Sequence, residues 1–358
     1  MLSTSIASAA WLQVGAGTGP AKVTVDAASA LGATVTVEVP GIQTESAAVN
    51  GTEYLKLTIP GAVSAGLEVG KPEVPAVPVL LARPTGSTVT LTILSIKTET
   101  LDVARVYPMQ RPQKYGEQAG PLTVDNSFYA SDVEYPTGRL SSPRTATWRD
   151  LDVVNVHVYP VAVRPAQHQV IVTSRIKFRV DFSGGHYPAR VTSWMVPMYR
   201  RLIGNYDELR LTAAAQEPPG TKCLVFCYSD YFNHPALRAL LDTMTKLGDS
   251  TEIISYPDSM DGVLGHGAIK QKIIERYIDQ DSVLRWVFLV GEFGQIPSKP
   301  EYWHNGFRVL NSDYWYSDWG LSNDTIVCDD YPEVGIARLS PSDSQDLTNQ
   351  VAKIEAPT

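Results

Sequence analysis

From residue 21 to about residue 182, apolar positions recur with period two or in short runs, and no stretch shows helical spacing. KVTVDAA, ATVTVEV, EYLKLTI, STVTLTILSI, VVNVHVYPVAV and QVIVTSRIKFRVDF are expected to be strands, divided by PG, TG, GK and NG punctuation. The pattern predicts a β-rich amino-terminal domain over 1–210, sandwich-like or a partial barrel. Its segment 70–84 carries Pro72, Pro75, Pro78 and Pro84. Proline supplies no ladder donor, so this segment suits an extended edge or a connection between sheets.

The strand signal stops between 187 and 220, and residues 205–222 read as an exposed connector ending in Pro218, Pro219 and Gly220. The domain boundary is expected at 211–222. Beyond it, over 223–358, strand and helix alternate. CLVFCYS is a buried strand; residues 234–248 place Leu237, Leu240, Leu241 and Met244 on one helical face, closed by Gly248. STEIISY follows, then a helix over 266–280 with Ile269, Ile273, Ile274 and Tyr277 on one stripe. The run RWVFLVGEFGQIPS, 285–298, organises this half: Trp286, Val287, Phe288, Leu289 and Val290 are unbroken by alternation, as in a strand buried on both faces of a parallel sheet. EVGIARLS reads as a fourth strand, and Ser340, Pro341 and Asp343 as the start of a last helix. Such a β-α-β-α-β order predicts an open parallel α/β layer. Ligands of such layers collect beyond the carboxyl ends of the strands, which directs attention to Glu292 and its successors.

The chain has 358 residues, enough for two or three domains. A net charge of -8 without a basic block argues against nucleic acid as the main partner. No run of about 18 apolar residues exists to span a membrane. The amino end, MLSTSIASAAW, has small residues like a cleavage region, but no signal sequence is evident. Cys223, Cys227 and Cys328 are too few for a disulfide framework and offer no zinc site. No GxSxG elbow, P-loop or GxGxxG is present, which sets aside the corresponding hydrolase and dinucleotide readings.

The excursion after the third strand, 297–331, is too long for a bare loop in a compact domain. Asp313, Asp324, Asp329, Asp330 and Glu333 cluster around it. An irregular acidic loop can wrap a hard cation such as Ca²⁺ with carboxylates and carbonyls; the same cluster also suits a solvated loop. His266, in LGHG, opens a helix, where an exposed histidine is ordinary, and His234 before Pro235 is read the same way.

These residues together resemble the gingipain-like cysteine peptidases. GKPEVPAVP and the strands over 153–182 resemble their propeptide; LVFCYSDYF, WVFLVGEFGQIPS, SDYWYS, DDYPEVGIARLS and QVAKIE resemble the first half of their caspase-like domain. The resemblance implies a calcium site with side chains Asp313, Asp329 and Glu333 and the carbonyls of Ile326 and Tyr331. It also implies a catalytic histidine and cysteine in the second half of the domain, so they are expected beyond Thr358 and this chain alone is expected to be inactive. His266 falls too early to inherit that role.

The expected protein is therefore the front of a secreted or cell-surface, bacterial-type endopeptidase zymogen. Its partners would be peptide or protein substrates, and its propeptide would pack on its own catalytic domain. Activation is expected at Arg210, and the polar break 131–150 is expected to present Arg139 as the inhibitory residue, with Arg144 next. The alternative is a non-catalytic secreted binding or surface-assembly module.

Overall fold

The computed structural model describes residues 9–49, 51–111, 120–213, 220, 222–279, 283–303, 307–322, 325–327 and 331–355. The chain divides into two compact units: 1–145 with 151–213, and 146–150 with 214–358. Residues 146–150 fall inside the stretch that the sequence assigns to the amino-terminal domain, so the second unit takes a short segment from far upstream.

The first part of the chain supplies β1 (Ala9–Gln13), β2 (Lys22–Ser29), β3 (Gly32–Glu38), β4 (Gly41–Val49), β5 (Thr52–Thr58) and β6 (Val63–Ser64). After them come β7 (Pro75–Ala82), β8 (Thr88–Asp102), β9 (Arg105–Val106), a short α1 (Asn126–Tyr129), β10 (Arg144–Trp148) and β11 (Leu151–Val158). β12 (Val161–Arg164), β13 (Gln169–Ser183), α2 (Val196–Leu202) and α3 (Tyr206–Leu209) complete the set. The strands form sheets ordered β1-β4-β5-β9, β10-β11-β7-β6 and β12-β13-β3-β2, with β8 added along β13.

Strand β13 shows why period two specifies this fold. Ile176, Phe178, Val180 and Phe182 are buried while Arg175, Lys177, Arg179 and Asp181 alternate with them toward solvent. The buried set packs with Val35 and Val37 of β3, Val77, Val79 and Leu81 of β7, and Val154, Val156 and Val158 of β11 in one apolar core. A slip of one residue would turn that whole set outward, so the register is strongly fixed.

The proline-rich segment is a true strand, and the expected edge character holds for one side of it. β7 pairs with β11 along Val77–Ala82, whereas β6 meets only Pro75 and Ala76. Along the rest of that side, Leu80 accepts from the Gly204 amide at 2.9 Å, and Asn205 both accepts from the Ala82 amide and donates to the Ala82 carbonyl. Pro78 shares the parity of Leu80 and Ala82, so its missing donor falls on this side, where no ladder needs it. Asn205 is fully buried and Tyr206 nearly so. The start of the expected exposed connector is thus folded into the first unit, while residues 214–219 and 221 lie outside the described residues.

The second unit contains β14 (Cys223–Tyr228), α4 (Pro235–Lys246), β15 (Thr251–Tyr256), α5 (His266–Asp279) and β16 (Trp286–Val290). The excursion follows as two hairpins, β17 (Lys299–Trp303) with β18 (Phe307–Ser312), and β19 (Gly320–Ser322) with β20 (Thr325–Val327). β21 (Gly335–Leu339) and α6 (Ser344–Glu355) close it. The excursion was expected to be irregular; pairing its own strands satisfies backbone groups that a bare loop would leave to solvent.

The sheet is parallel throughout, in the order β15-β14-β16-β21. Alternate residues of β14 serve different layers. Leu224 and Phe226 pack with Ile269, Ile273 and Tyr277 of α5, and Cys223, Val225 and Cys227 with Leu237 and Leu241 of α4 and Leu347 and Val351 of α6. The third strand is less buried than its unbroken apolar run suggests: Trp286 is 43% exposed. Its ring lies where a Cβ on Gly335 would stand, 2.3 Å from its nearest carbons, so glycine is required opposite it. The last helix begins later than expected, capped by Asp343, whose Oδ1 accepts from the Asp346 amide at 2.8 Å. Among the described residues no helix is long and apolar enough to cross a membrane.

Candidate functional site at the carboxyl edge of the parallel sheet

The chain leaves β14 for β15 on one side and then returns to place β16 on the other, which makes the carboxyl ends of β14 and β16 the switch point of the sheet. Gly291 stands there at φ +148°, and a Cβ would lie 2.9 Å from Ile296 Cγ1 and 3.2 Å from Tyr228 Cβ. Only glycine fits both the angle and the space. The chain then turns tightly, the Glu292 carbonyl accepting from the amides of Gln295 and Ile296 at 2.9 and 2.8 Å. Glu292, Phe293 and Gly294 project as exposed residues.

Beneath this turn lies Arg338 of β21, its side chain 7% exposed. Nε donates to Asp313 Oδ2 at 2.7 Å, and Nη2 to Asp313 Oδ1 at 2.7 Å and to Ser298 Oγ at 3.0 Å. Nη1 donates to the carbonyls of Gly291 at 2.8 Å and Ile296 at 2.9 Å. Ser298 in turn donates to Asp313 Oδ1 at 2.5 Å. The Tyr316 hydroxyl, donating to the Pro297 carbonyl, ties the excursion to the same turn, and burial pushes that phenol well above its usual range.

The residues expected around calcium are placed as follows. Asp313 carries its charge into the Arg338 pair, both oxygens engaged. Glu333 is buried, with Oε2 accepting from the Trp319 amide at 2.7 Å and its own amide donating to the Ser317 carbonyl at 2.8 Å. Tyr331 packs its ring 5.8 Å from that of Trp148, and Ile326 lies on β20. Asp329 lies outside the described residues, as do Asp324, Asp330 and Cys328. Among the described residues no three carboxylate, imidazole or thiol groups converge as a metal shell. With a guanidinium already against both of its oxygens, Asp313 does not fit the part of a free calcium ligand.

Neither described cysteine is equipped as a nucleophile. Cys223 and Cys227 are fully buried, and burial pushes both thiols up to about 12, so the reactive thiolate is scarce near neutrality. His266 is the first residue of α5, its ring 5.4 Å from Trp315 in an edge-on contact.

Arg139 is packed rather than protruding: its side chain is 10% exposed and Nη2 lies 2.7 Å from Glu134 Oε1. Arg144 is exposed at the start of β10, and Arg210 is exposed just after α3, at φ +52°. A different arginine of the same region enters the second unit. Arg149 is buried in the turn between β10 and β11 at φ +59°, and Nη1 donates to the carbonyls of Leu284 at 2.9 Å and Glu333 at 2.7 Å. Its guanidinium lies 5.2 Å from the centre of the Tyr277 ring. These carbonyls precede β16 and β21, so Arg149 sits at the amino edge of the sheet, opposite the Arg338 cluster.

Residues 16–196 match the family model Propeptide_C25, and residues 217–357 match Peptidase family C25. Lys-gingipain of Porphyromonas gingivalis is 23% identical over 322 residues, covering 85% of this chain and 18% of that protein; Lys-gingipain 381 matches equally. The chain thus matches less than a fifth of the length of these curated relatives. Among solved structures, one addressing the zymogenic latency of gingipain K from Porphyromonas gingivalis is 22% identical with a TM-score of 0.44, covering 50% of this chain and 100% of that chain. The complex of Porphyromonas gingivalis RgpB pro- and mature domains is 16% identical with a TM-score of 0.47, covering 52% of this chain and 97% of that one. With its first half matched by the propeptide and the remainder by the peptidase, the chain belongs to peptidase family C25, the gingipain-like cysteine peptidases.

Proposed function

We propose that this chain is the amino-terminal part of a secreted gingipain-like cysteine endopeptidase zymogen, with an inhibitory propeptide followed by the first half of the catalytic domain. The observation that carries the reading is the order of two family matches in one chain, propeptide and then peptidase. In the complete enzyme a thiolate attacks the peptide carbonyl and a histidine gives a proton to the leaving amine. Those two groups come from outside this chain. The burial of Cys223 and Cys227 and their raised thiols support that assignment, because neither can act as the nucleophile.

The propeptide packs on its own catalytic domain and is cut away near Arg210, whose exposure suits a protease site. Inhibition through Arg139 requires that its guanidinium leave Glu134. A calcium ion on the excursion, held through Asp329, Glu333 and the carbonyls of Ile326 and Tyr331, belongs to the same reading and is supported by the acidic spacing. The test is to assay the purified 358-residue chain, with reducing thiol, on a fluorogenic peptide library. No turnover is expected; thiol-dependent cleavage by this chain overturns the reading.

One observation favours a non-catalytic binding module instead. β8 is a fifteen-residue strand paired only with β13 among the described residues, and Ile93, Leu94 and Ile96 on it are exposed. An unpaired edge of that length can accept another strand.

A further inference from the structure

A guanidinium has five N–H donors, and those of Arg338 meet five acceptor contacts drawn from four residues. A simple charge pair with Asp313 would need two of them. The other three go to Ser298 and to the carbonyls of Gly291 and Ile296, which bracket the turn containing Glu292, Phe293 and Gly294. Two carbonyl oxygens brought within reach of one nitrogen repel each other unless a donor lies between them, and a forked, planar cation is the side chain that can serve both while gripping a carboxylate. The guanidinium carbon also lies 4.9 Å from the centre of the Phe293 ring, which is 49% exposed.

We infer that Arg338 is a positioning residue, fixing the 291–298 turn so that Glu292 and Phe293 stand in one defined place at the switch point of the sheet. What lies against those two residues rests on the proposed peptidase reading and is then a substrate peptide. The fixing of the turn stands without that reading.

The distinction from an ordinary ion pair is geometric. Lysine in place of Arg338 keeps the charge opposite Asp313 but offers three donors from one nitrogen, too few and too close together to span Asp313, Ser298 and both carbonyls. Hydrogen exchange read by mass spectrometry on the 358-residue chain tests this with Arg338→Lys and Arg338→Met. In both variants the amides of β14 and β16 are expected to remain the slowest to exchange, while those of 292–296 and Ser298 exchange at least about tenfold faster than in the parent chain and well ahead of the strands. Retained protection of 292–298 in Arg338→Lys overturns the proposal, because a point charge then suffices. Loss of cooperative melting in both variants also overturns it, because the residue then holds the whole unit rather than the turn. Peptidase activity enters neither measurement, so failure of the enzymatic reading leaves this outcome distinguishable.

Discussion

Asp313 and Arg338 face each other through two parallel hydrogen bonds of 2.7 Å, Nε to Oδ2 and Nη2 to Oδ1, across 25 residues of sequence. Fork-to-fork pairing of this kind, mostly shielded from water, makes the loss of one partner much worse than the loss of both. Arg338→Met and Asp313→Asn are each expected to cost about 3 kcal/mol or more, and the double substitution distinctly less than their sum. Urea unfolding of the four proteins checks this; strictly additive losses reject a coupled pair.

The thiols of Cys223 and Cys227 give a pH prediction. Burial raises both from an ordinary value near 9 to about 12 in the folded chain, so the folded state holds these protons more tightly than the unfolded one. Their contribution is complete below pH 9 and is lost as the pH rises toward 12, at up to about 1.4 kcal/mol per pH unit for each thiol. Between pH 8.5 and 10.5 the urea midpoint should fall more steeply for the parent chain than for Cys223→Ala/Cys227→Ala. Parallel curves refute the assignment.

Calcium is expected to raise the melting temperature of the chain relative to chelator, with a stabilisation of about 2.7 kcal/mol at a hundredfold excess over the dissociation constant. Asp329→Ala should abolish the calcium response. Asp313→Asn should lower stability with and without calcium alike, since the charge of Asp313 is met by Arg338. A melting temperature indifferent to calcium in the parent chain removes the ion from the proposal.

Limited trypsin digestion should cut first after Arg210, releasing fragments near 1–210 and 211–358. The arginine is exposed and lies next to the end of a four-residue helix, where local opening is easy. First cuts within 223–300 contradict an accessible connector.

Much of this fold is legible in the sequence because each unit has one dominant period. The alternation of Ile176, Phe178 and Val180 with Arg175, Lys177 and Arg179 names both the strand and its buried face, and the stripe of Ile269, Ile273 and Tyr277 does the same for α5. Strands β1 and β9 escaped because their pairing is decided by sequence-distant partners, β4 for the first and β5 for the second, rather than by their own pattern. The acidic cluster was visible but its chemistry was not: Arg338 sits in an apolar strand, and nothing local shows that its partner is Asp313. Arg149 was hidden for the same reason, its carbonyl partners lying 135 and 184 residues away.

The short segment 146–150 alters what a single proteolytic cut can do. The chain passes from one unit to the other three times, after residues 145, 150 and 213. Cleavage at the connector opens one passage and leaves two intact, so the fragment ending there still carries Trp148 and Arg149, residues whose burial belongs to the other fragment. In covalent terms the chain is threaded between its two units rather than joined end to end, and a cut creates two chains without creating two separately folded sets of residues.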